Sequence, residues 1–185
     1  NNQALLEDPL YIGIRQKRLS GAALDEIVEE FVTAAQQVFP GIVVQFEDFA
    51  NHNAFRLLRK YRNRICCFND DIQGTASVTV AGIFSALRVT RQRMAEQTFL
   101  CLGAGEAATG ICDLLSAAMV ADGLTPDQAR ARCWMVDSKG LVVASRTDLA
   151  EHKKAYAHPH EPVADFLGAV QALKPTAIIG VGATP

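Results

Sequence analysis

Residues 98–110 read TFLCLGAGEAATG. An apolar run of strand length ends at Leu102, two glycines follow at Gly103 and Gly105, and small residues then continue at helical spacing toward Ala121. This is the GxGxxA form of the dinucleotide fingerprint. The first glycine permits a tight turn, the second lets the backbone approach a pyrophosphate, and Ala108 allows close packing of helix on strand. The helix N-terminus adds N–H donors. Taken alone the motif fits a plain glycine turn as well, so its surroundings decide. Downstream the pattern predicts a strand at 98–102, a helix at about 106–121, a strand at 133–137, a helix near 162–173 and a strand at 176–182. Strands alternating with helices in this way imply a parallel, doubly wound sheet, an α/β fold of Rossmann-like type. The chain ends at IIGVGATP with no helix after that strand, so the sheet is expected to be incomplete.

The next strand, in WMVDSKG, ends in Asp137, an acid placed to take a ribose hydroxyl. It lies about 30 residues beyond Gly105, more than the usual ~20, and the segment DGLTPDQAR accounts for the excess. Ser138 and Lys139 follow at once, a hydroxyl and a cation suited to a 2'-phosphate, with Lys153 or Lys154 able to add charge. The alternative is a solvated basic turn.

Upstream, residues 20–39 place Leu24, Ile27, Val28, Phe31, Val32 and Ala35 at helical spacing. GIVVQFEDF follows as a strand ending in Glu47 and Asp48, NHNAFRLLRKYR as a short helix, and RICCF as a second strand running into Asn69, Asp70 and Asp71. Both strands deliver carboxylates at their C-terminal ends, the edge where open α/β folds bind ligands. Adjacent Asp70 and Asp71 repel each other, and a divalent cation resolves the repulsion. No HxxxH or cysteine pattern accompanies the acids, so an oxygen-preferring ion, Mg2+ or Mn2+, is favoured over zinc. The competing reading pairs these acids with Arg56, Arg62 or Arg64. From Gly74 to Leu87 the residues are small and apolar nearly all round, which predicts a helix buried between layers. The polar, basic RVTRQRMAEQ then marks a boundary between residues 1–88, a metal- and substrate-binding segment, and 89–185, a nucleotide-binding domain.

Composition narrows the classes. The 185 residues are 49% hydrophobic and 21% charged with a net charge of −2, ordinary for a globular chain and without the basic stripe nucleic acid requires. No uninterrupted apolar run approaches the roughly 20 residues of a membrane span, and NNQALLEDPLYIG lacks the features of a signal peptide. Five cysteines, an odd number with no CxxC pair, read as reduced thiols of an intracellular protein.

The stretch VVQFEDFANHNAFRLLRKYRNRICCFNDDIQGTASVTVAG, with LGAGEAATGI, VDSKGLV and KPTAIIGV, resembles the malic enzymes, and the resemblance runs from LEDPLYIGIRQKR to the last residue. It implies oxidative decarboxylation of malate to pyruvate and CO2, with Mg2+ or Mn2+ and NADP, NAD being the lesser choice. It implies metal ligation by Glu47, Asp48 and Asp71, and a role for Asp70 in orienting the catalytic lysine. It places Asn51, Thr75, Gly103, Gly105, Glu106, Ala107, Ala108, Asp137, Ser138, Lys139 and Lys154 at the cofactor. It further implies a homo-oligomer, dimer or tetramer, in the cytoplasm or in a mitochondrial or plastid matrix, with no nucleic-acid or membrane partner. The family's tyrosine acid, lysine base and substrate arginine have no counterpart in this chain. A malolactic enzyme, or a catalytically silent nucleotide-binding module, is the alternative. The 185-residue chain by itself is therefore expected to show no malate turnover with saturating Mn2+ and NADP, because each missing proton-transfer group removes about 10² to 10⁴ in rate. A steady-state assay of the purified chain checks this, and robust turnover would refute the assignment of the catalytic groups.

Overall fold

The computed structural model describes residues 2–182. The chain divides into compact units of residues 1–44 and 45–185. In the first unit, α1 (Gln3–Glu7) begins at Asn2, whose side chain accepts from the Leu5 N–H, and α2 (Gly21–Val38) forms the amphipathic helix expected at 20–39. Val28 and Val32 form its buried stripe.

β1 (Val44–Phe46) and β2 (Cys67–Asn69) make a small two-stranded sheet, with α3 (Asn51–Tyr61) between them in sequence. Both strands are shorter than the sequence suggests. β1 stops because Asp48 and Ala50 adopt left-handed backbone, at φ 57° and 60°, conformations that non-glycine residues enter only at a cost. After β2 the chain makes a π-helical turn, Asp70–Gly74, that leads into α4 (Thr75–Thr90). Asn69 caps that turn, its fully buried Oδ1 accepting from the Ile72 N–H at 2.9 Å.

α4 corrects the expectation of a helix buried between layers. Only Ala76 and Val80 are buried, while Val78, Phe84 and Val89 are exposed. An apolar composition on every side reports what a helix could bury, and here one stripe lies on a neighbour. The turn and α4 also form one helical segment, Asp70–Thr90, that by length and composition alone could cross a membrane, a continuity hidden in the sequence by Gly74.

The second sheet is as the glycine motif requires. β3 (Phe99–Leu102) leads into α5 (Glu106–Ala121), α6 (Pro126–Arg130) and β4 (Cys133–Asp137); α7 (Phe166–Leu173) and β6 (Ala177–Gly180) follow the hairpin strand β5 (Gly140–Leu141). The order is β5-β4-β3-β6, with β3 parallel to both β4 and β6. β5, absent from the sequence reading, pairs antiparallel to β4 through a turn that depends on Gly140 at φ 104°. α7 begins later than expected because Asp165 caps it, accepting from the Gly168 N–H at 2.7 Å.

Strand alternation builds two cores. Phe99, Cys101, Cys133 and Met135 face Ile111, Leu115 and Met119 of α5 with Ala76 and Val80 of α4. Leu100, Val136, Leu141 and Val143 face Ala169 of α7 on the opposite side. Helices thus cover both faces of a mainly parallel sheet. Cys101, Cys112 and Cys133 are buried free thiols, as expected, whereas Cys66 is exposed.

α5 also packs on the π-helical turn, and Gly110 makes this possible: a Cβ there would run into the Ile72 carbonyl. Gly110→Ala gains up to about 1 kcal/mol of helix propensity but forces backbone apart in a close-packed layer, typically about 1–3 kcal/mol. With backbone as the obstacle the strain wins, and the variant is expected to unfold at lower urea than the parent by a net of about 1–2 kcal/mol. An unchanged or raised midpoint would remove this contact from the account of the fold.

Candidate metal and dinucleotide site

The left-handed Asp48 turns the end of β1 back on the head of the π-helical turn. Its N–H donates to Asp71 Oδ2 at 2.9 Å, joining two acids 23 residues apart in sequence. Carboxylate oxygens of Glu47, Asp48 and Asp71 all lie within 4.8 Å of one another. Glu47 accepts from Gln45 Nε2 at 2.9 Å, and among the described residues no salt bridge ties any of the three to a cation. Three converging carboxylates, exposed or half-buried, form a hard oxygen donor set that fits Mg2+ or Mn2+.

Asp70 is not part of this trio. Its carboxylate folds back over Gly74, where a Cβ would collide with it, so the two adjacent aspartates diverge. Asn69 lies beside them fully buried, with its Nδ2 unpartnered.

The glycine turn sits between the ends of β4 and β6. Gly103 has φ 127°, and a Cβ on it would come within 2.9 Å of the Val181 backbone. Gly103 N–H donates to Val136 O and Val181 N–H to Leu102 O, both at 2.8–2.9 Å. Gly105 opens α5, and Asn51 at the start of α3 accepts the Glu106 N–H at 2.9 Å. Asn51 therefore bridges the FEDFAN segment to the dinucleotide turn. Burial raises the Glu106 carboxyl, and the nearby Asp71 and Asp48 raise it further, so the metal cluster and the glycine turn are electrostatic neighbours.

Above this turn opens a cleft of about 1440 Å³, walled by Asn51, Gly103, Gly105, Glu106, Asp137 and Ser138 among others. Ala107 also lines it, while Ala108 lies underneath, buried against the sheet. Phe55 and His152 stack across its wall with centroids 4.7 Å apart, and His152 Nε2 lies 3.2 Å from Ala104 O. Burial lowers the His152 pKa, partly offset by that hydrogen bond. Below the wall Tyr156 donates to Asp113 at 2.6 Å. Thr75 is half-buried in the first turn of α4 and does not wall the cleft.

At the far edge Asp137 accepts the Lys139 N–H at 3.0 Å and pairs with Arg146 at 2.8 Å and Lys153 at 2.6 Å. Burial alone would push its carboxyl up, but the hydrogen bonds from Arg146 and Lys153 outweigh this and hold it at about 2. Lys139 Nζ pairs with Asp148 at 2.8 Å, and Lys154 pairs with Glu151 at 2.6 Å, so Lys153, not Lys154, joins the Asp137 group. Sequence reasoning missed Arg146 and Asp148. They lie nine and eleven residues beyond Asp137 with no periodicity or motif to join them, and only the β4-β5 hairpin brings them back.

Two family descriptions match the chain, the malic enzyme N-terminal domain over residues 1–62 and the malic enzyme NAD-binding domain over residues 72–185. The chain belongs to the malic enzyme family. It is 53% identical over 183 residues to an NADP-dependent malic enzyme of Mus musculus, covering 98% of this chain and 32% of that protein. An NADP-dependent malic enzyme of Arabidopsis thaliana is 52% identical over 183 residues, with 97% and 32% covered. The crystal structure of an NAD-dependent malic enzyme from Thermotoga maritima superposes with a TM-score of 0.67 at 26% identity, covering 89% of this chain and 41% of that one. The Entamoeba histolytica malic enzyme gives 0.66 at 26%, with 86% and 32% covered. The chain thus spans about a third of the length of the curated relatives it matches.

Proposed function

We propose that this chain supplies the metal cluster and the start of the nucleotide domain of an NADP-preferring malic enzyme that converts (S)-malate to pyruvate and CO2. The observation that carries the reading is the placement of the Glu47, Asp48 and Asp71 carboxylates near a glycine turn whose cleft reaches Asp137, Ser138 and Lys153. The relatives' printed names, NADP-dependent malic enzyme, favour this over malolactic chemistry. On this reading the enzyme works inside the cell as a homo-oligomer, and the change from metal-binding to nucleotide-binding segment falls near residue 88.

When bound, Mg2+ or Mn2+ supplies Lewis-acid polarisation of a substrate oxygen. The chain's residues do the rest of what is proposed here. Glu47, Asp48 and Asp71 hold the ion at the mouth of α4. Gly103 and Gly105 keep side chains out of the space a pyrophosphate needs, and the free N–H groups of the α5 N-terminus donate to it. Asp70, turned away from the trio, is free to orient a catalytic lysine. Ser138 and Lys139 meet the ribose edge.

Replacing Asp71 with alanine in the full-length enzyme removes one of three carboxylates and the acceptor for the Asp48 N–H. Mn2+ affinity is expected to fall at least about tenfold, with NADP affinity within about threefold of the parent. Titration of free Mn2+ by paramagnetic resonance reads the first quantity and fluorescence the second; unchanged Mn2+ affinity would reject the metal site.

Lys139→Ala in the full-length enzyme is expected to raise KM for NADP about tenfold, the equivalent of roughly 1.4 kcal/mol. KM for NAD should stay nearly unchanged. Equal losses with both cofactors would mean that Lys139 serves the fold and not the 2'-phosphate.

A further inference from the structure

Between the C-terminal ends of α4 and α5 lies a second cavity, of about 540 Å³, lined by residues drawn from 84–94 and 118–122. That volume falls within the roughly 300–1,000 Å³ of small-molecule sites. It shares no lining residue with the cleft above the glycine turn. The opposite ends of the same two helices carry the Asp70–Gly74 turn and the glycine turn, and the 16 residues of α5 separate cavity from glycine turn by about 20 Å.

The wall has two characters. Phe84, Leu87, Met94, Ala118 and Ala121 make an apolar trough, in which Met94 is buried and the Phe84 ring lies open. Arg88, Arg91 and Arg93 stand around it. Arg93 is committed to the fold: it donates to Asp122 Oδ1 at 3.1 Å and to Asp122 O at 2.9 Å, while Asp122 Oδ2 accepts the Ala95 N–H at 2.9 Å. Arg88 and Arg91 have no carboxylate partner among the described residues. Arg91 also holds left-handed backbone at φ 57°, the position after a helix where glycine or asparagine is the ordinary choice.

The charges around the trough do not cancel. Asp122 is the acid in its wall; Glu96, close in sequence, accepts the Arg93 N–H at 3.4 Å and does not line the cavity. The C-terminal ends of α4 and α5 each add about half a negative charge. Against these stand three guanidiniums, which leaves a surplus of about one positive charge. A small inorganic anion would pair the arginines and leave the apolar wall wet. An uncharged hydrocarbon would cover the wall and strand the guanidiniums. A single negative head on an apolar tail satisfies both, and a carboxylate matches the guanidinium fork with the one charge the surplus calls for.

We propose that this cavity is a binding site for a carboxylate with an alkyl tail, its head paired with Arg88 and Arg91 and its tail laid along Phe84, Leu87 and Met94. The occupant sits at the far end of α4 and α5 from the metal cluster and the glycine turn, so it binds without displacing the nucleotide.

Calorimetric titration of the full-length enzyme with decanoate, without metal or malate and below the micellar range, tests this. Decyltrimethylammonium, with the same tail and the opposite charge, and propionate, with the head and almost no tail, are the comparison probes. Decanoate should bind at least about tenfold tighter than either, and within about threefold of the same affinity when NADP is present at saturation. Combining Arg88→Gln with Arg91→Asn, the asparagine chosen because it tolerates left-handed backbone, should weaken decanoate about tenfold or more. Phe84→Ser should weaken it several-fold, and its exposed position leaves the thermal midpoint near that of the parent. Equal binding of the ammonium probe would reduce the cavity to unspecific apolar surface and overturn the proposal. Decanoate displaced by NADP would put it in the nucleotide cleft, and a double variant that binds like the parent would put it elsewhere; either result overturns the assignment. Absence of decanoate binding would mean that another segment of the enzyme fills the cavity, which rejects it as a ligand site. The comparison of probes on the parent needs no variant to fold.

Discussion

The close approach of α5 to the Asp70–Gly74 turn is the constraint on which the site depends. Gly110 lies one helical turn beyond Glu106, so the Ile72 carbonyl that presses on it fixes how far the N-terminus of α5 stands from the head of α4. Asn51 locks the same junction from a third segment by accepting the Glu106 N–H. Three stretches far apart in sequence, FEDFAN, FNDDIQG and LGAGEA, are thereby held in one body. The proposed reaction needs that arrangement, because the substrate carbon that loses hydride to a nucleotide belongs to the same small molecule that the carboxylate cluster must organise. An angstrom of slack between the two subsites would cost orders of magnitude in rate.

This junction is electrostatically expensive as it stands. Glu106 is raised by burial and then by Asp71 and Asp48, which places a fourth carboxylate next to the trio. Like charges gathered at the edge of a protein core are unfavourable unless a cation joins them. No arginine or lysine among the described residues pairs with Glu47, Asp48 or Asp71, although Arg56, Arg62 and Arg64 are close in sequence. On the proposed reading, a divalent ion is the cation that offsets this repulsion.

How much of this was legible in the sequence follows from the range of the forces involved. The strand, glycine turn and helix of residues 99–121 are encoded locally, by apolar spacing and by glycines at obligatory positions, and the reading placed that helix correctly. The four acids Glu47, Asp48, Asp70 and Asp71 were legible at two strand ends; that three of them converge while Asp70 folds back over Gly74 is set by the backbone and was not readable from spacing. The burial of α4 was misjudged because composition cannot say how many neighbours a helix has. β5 and Arg146 were invisible for a related reason: a two-residue strand has no period to detect, and an arginine nine residues past its partner matches no helical or strand repeat.

Asp71 and Asp137 show why residue type and position alone do not assign a role. Each stands at or just past the C-terminal end of a strand, where the sequence alone suggests a ligand-facing acid. Asp71 accepts a single backbone N–H from Asp48 and is otherwise flanked by acids, so its remaining lone pairs are open to an ion from solution. Asp137 accepts four hydrogen bonds, three of them from cationic groups, which hold its carboxyl near pH 2 and consume its capacity. The same side chain accepts one hydrogen bond from the described residues in one place and four in the other. What separates them is the count of donors already committed to each, and that count is set by the hairpin behind β4 and not by the residues next to the aspartate in sequence.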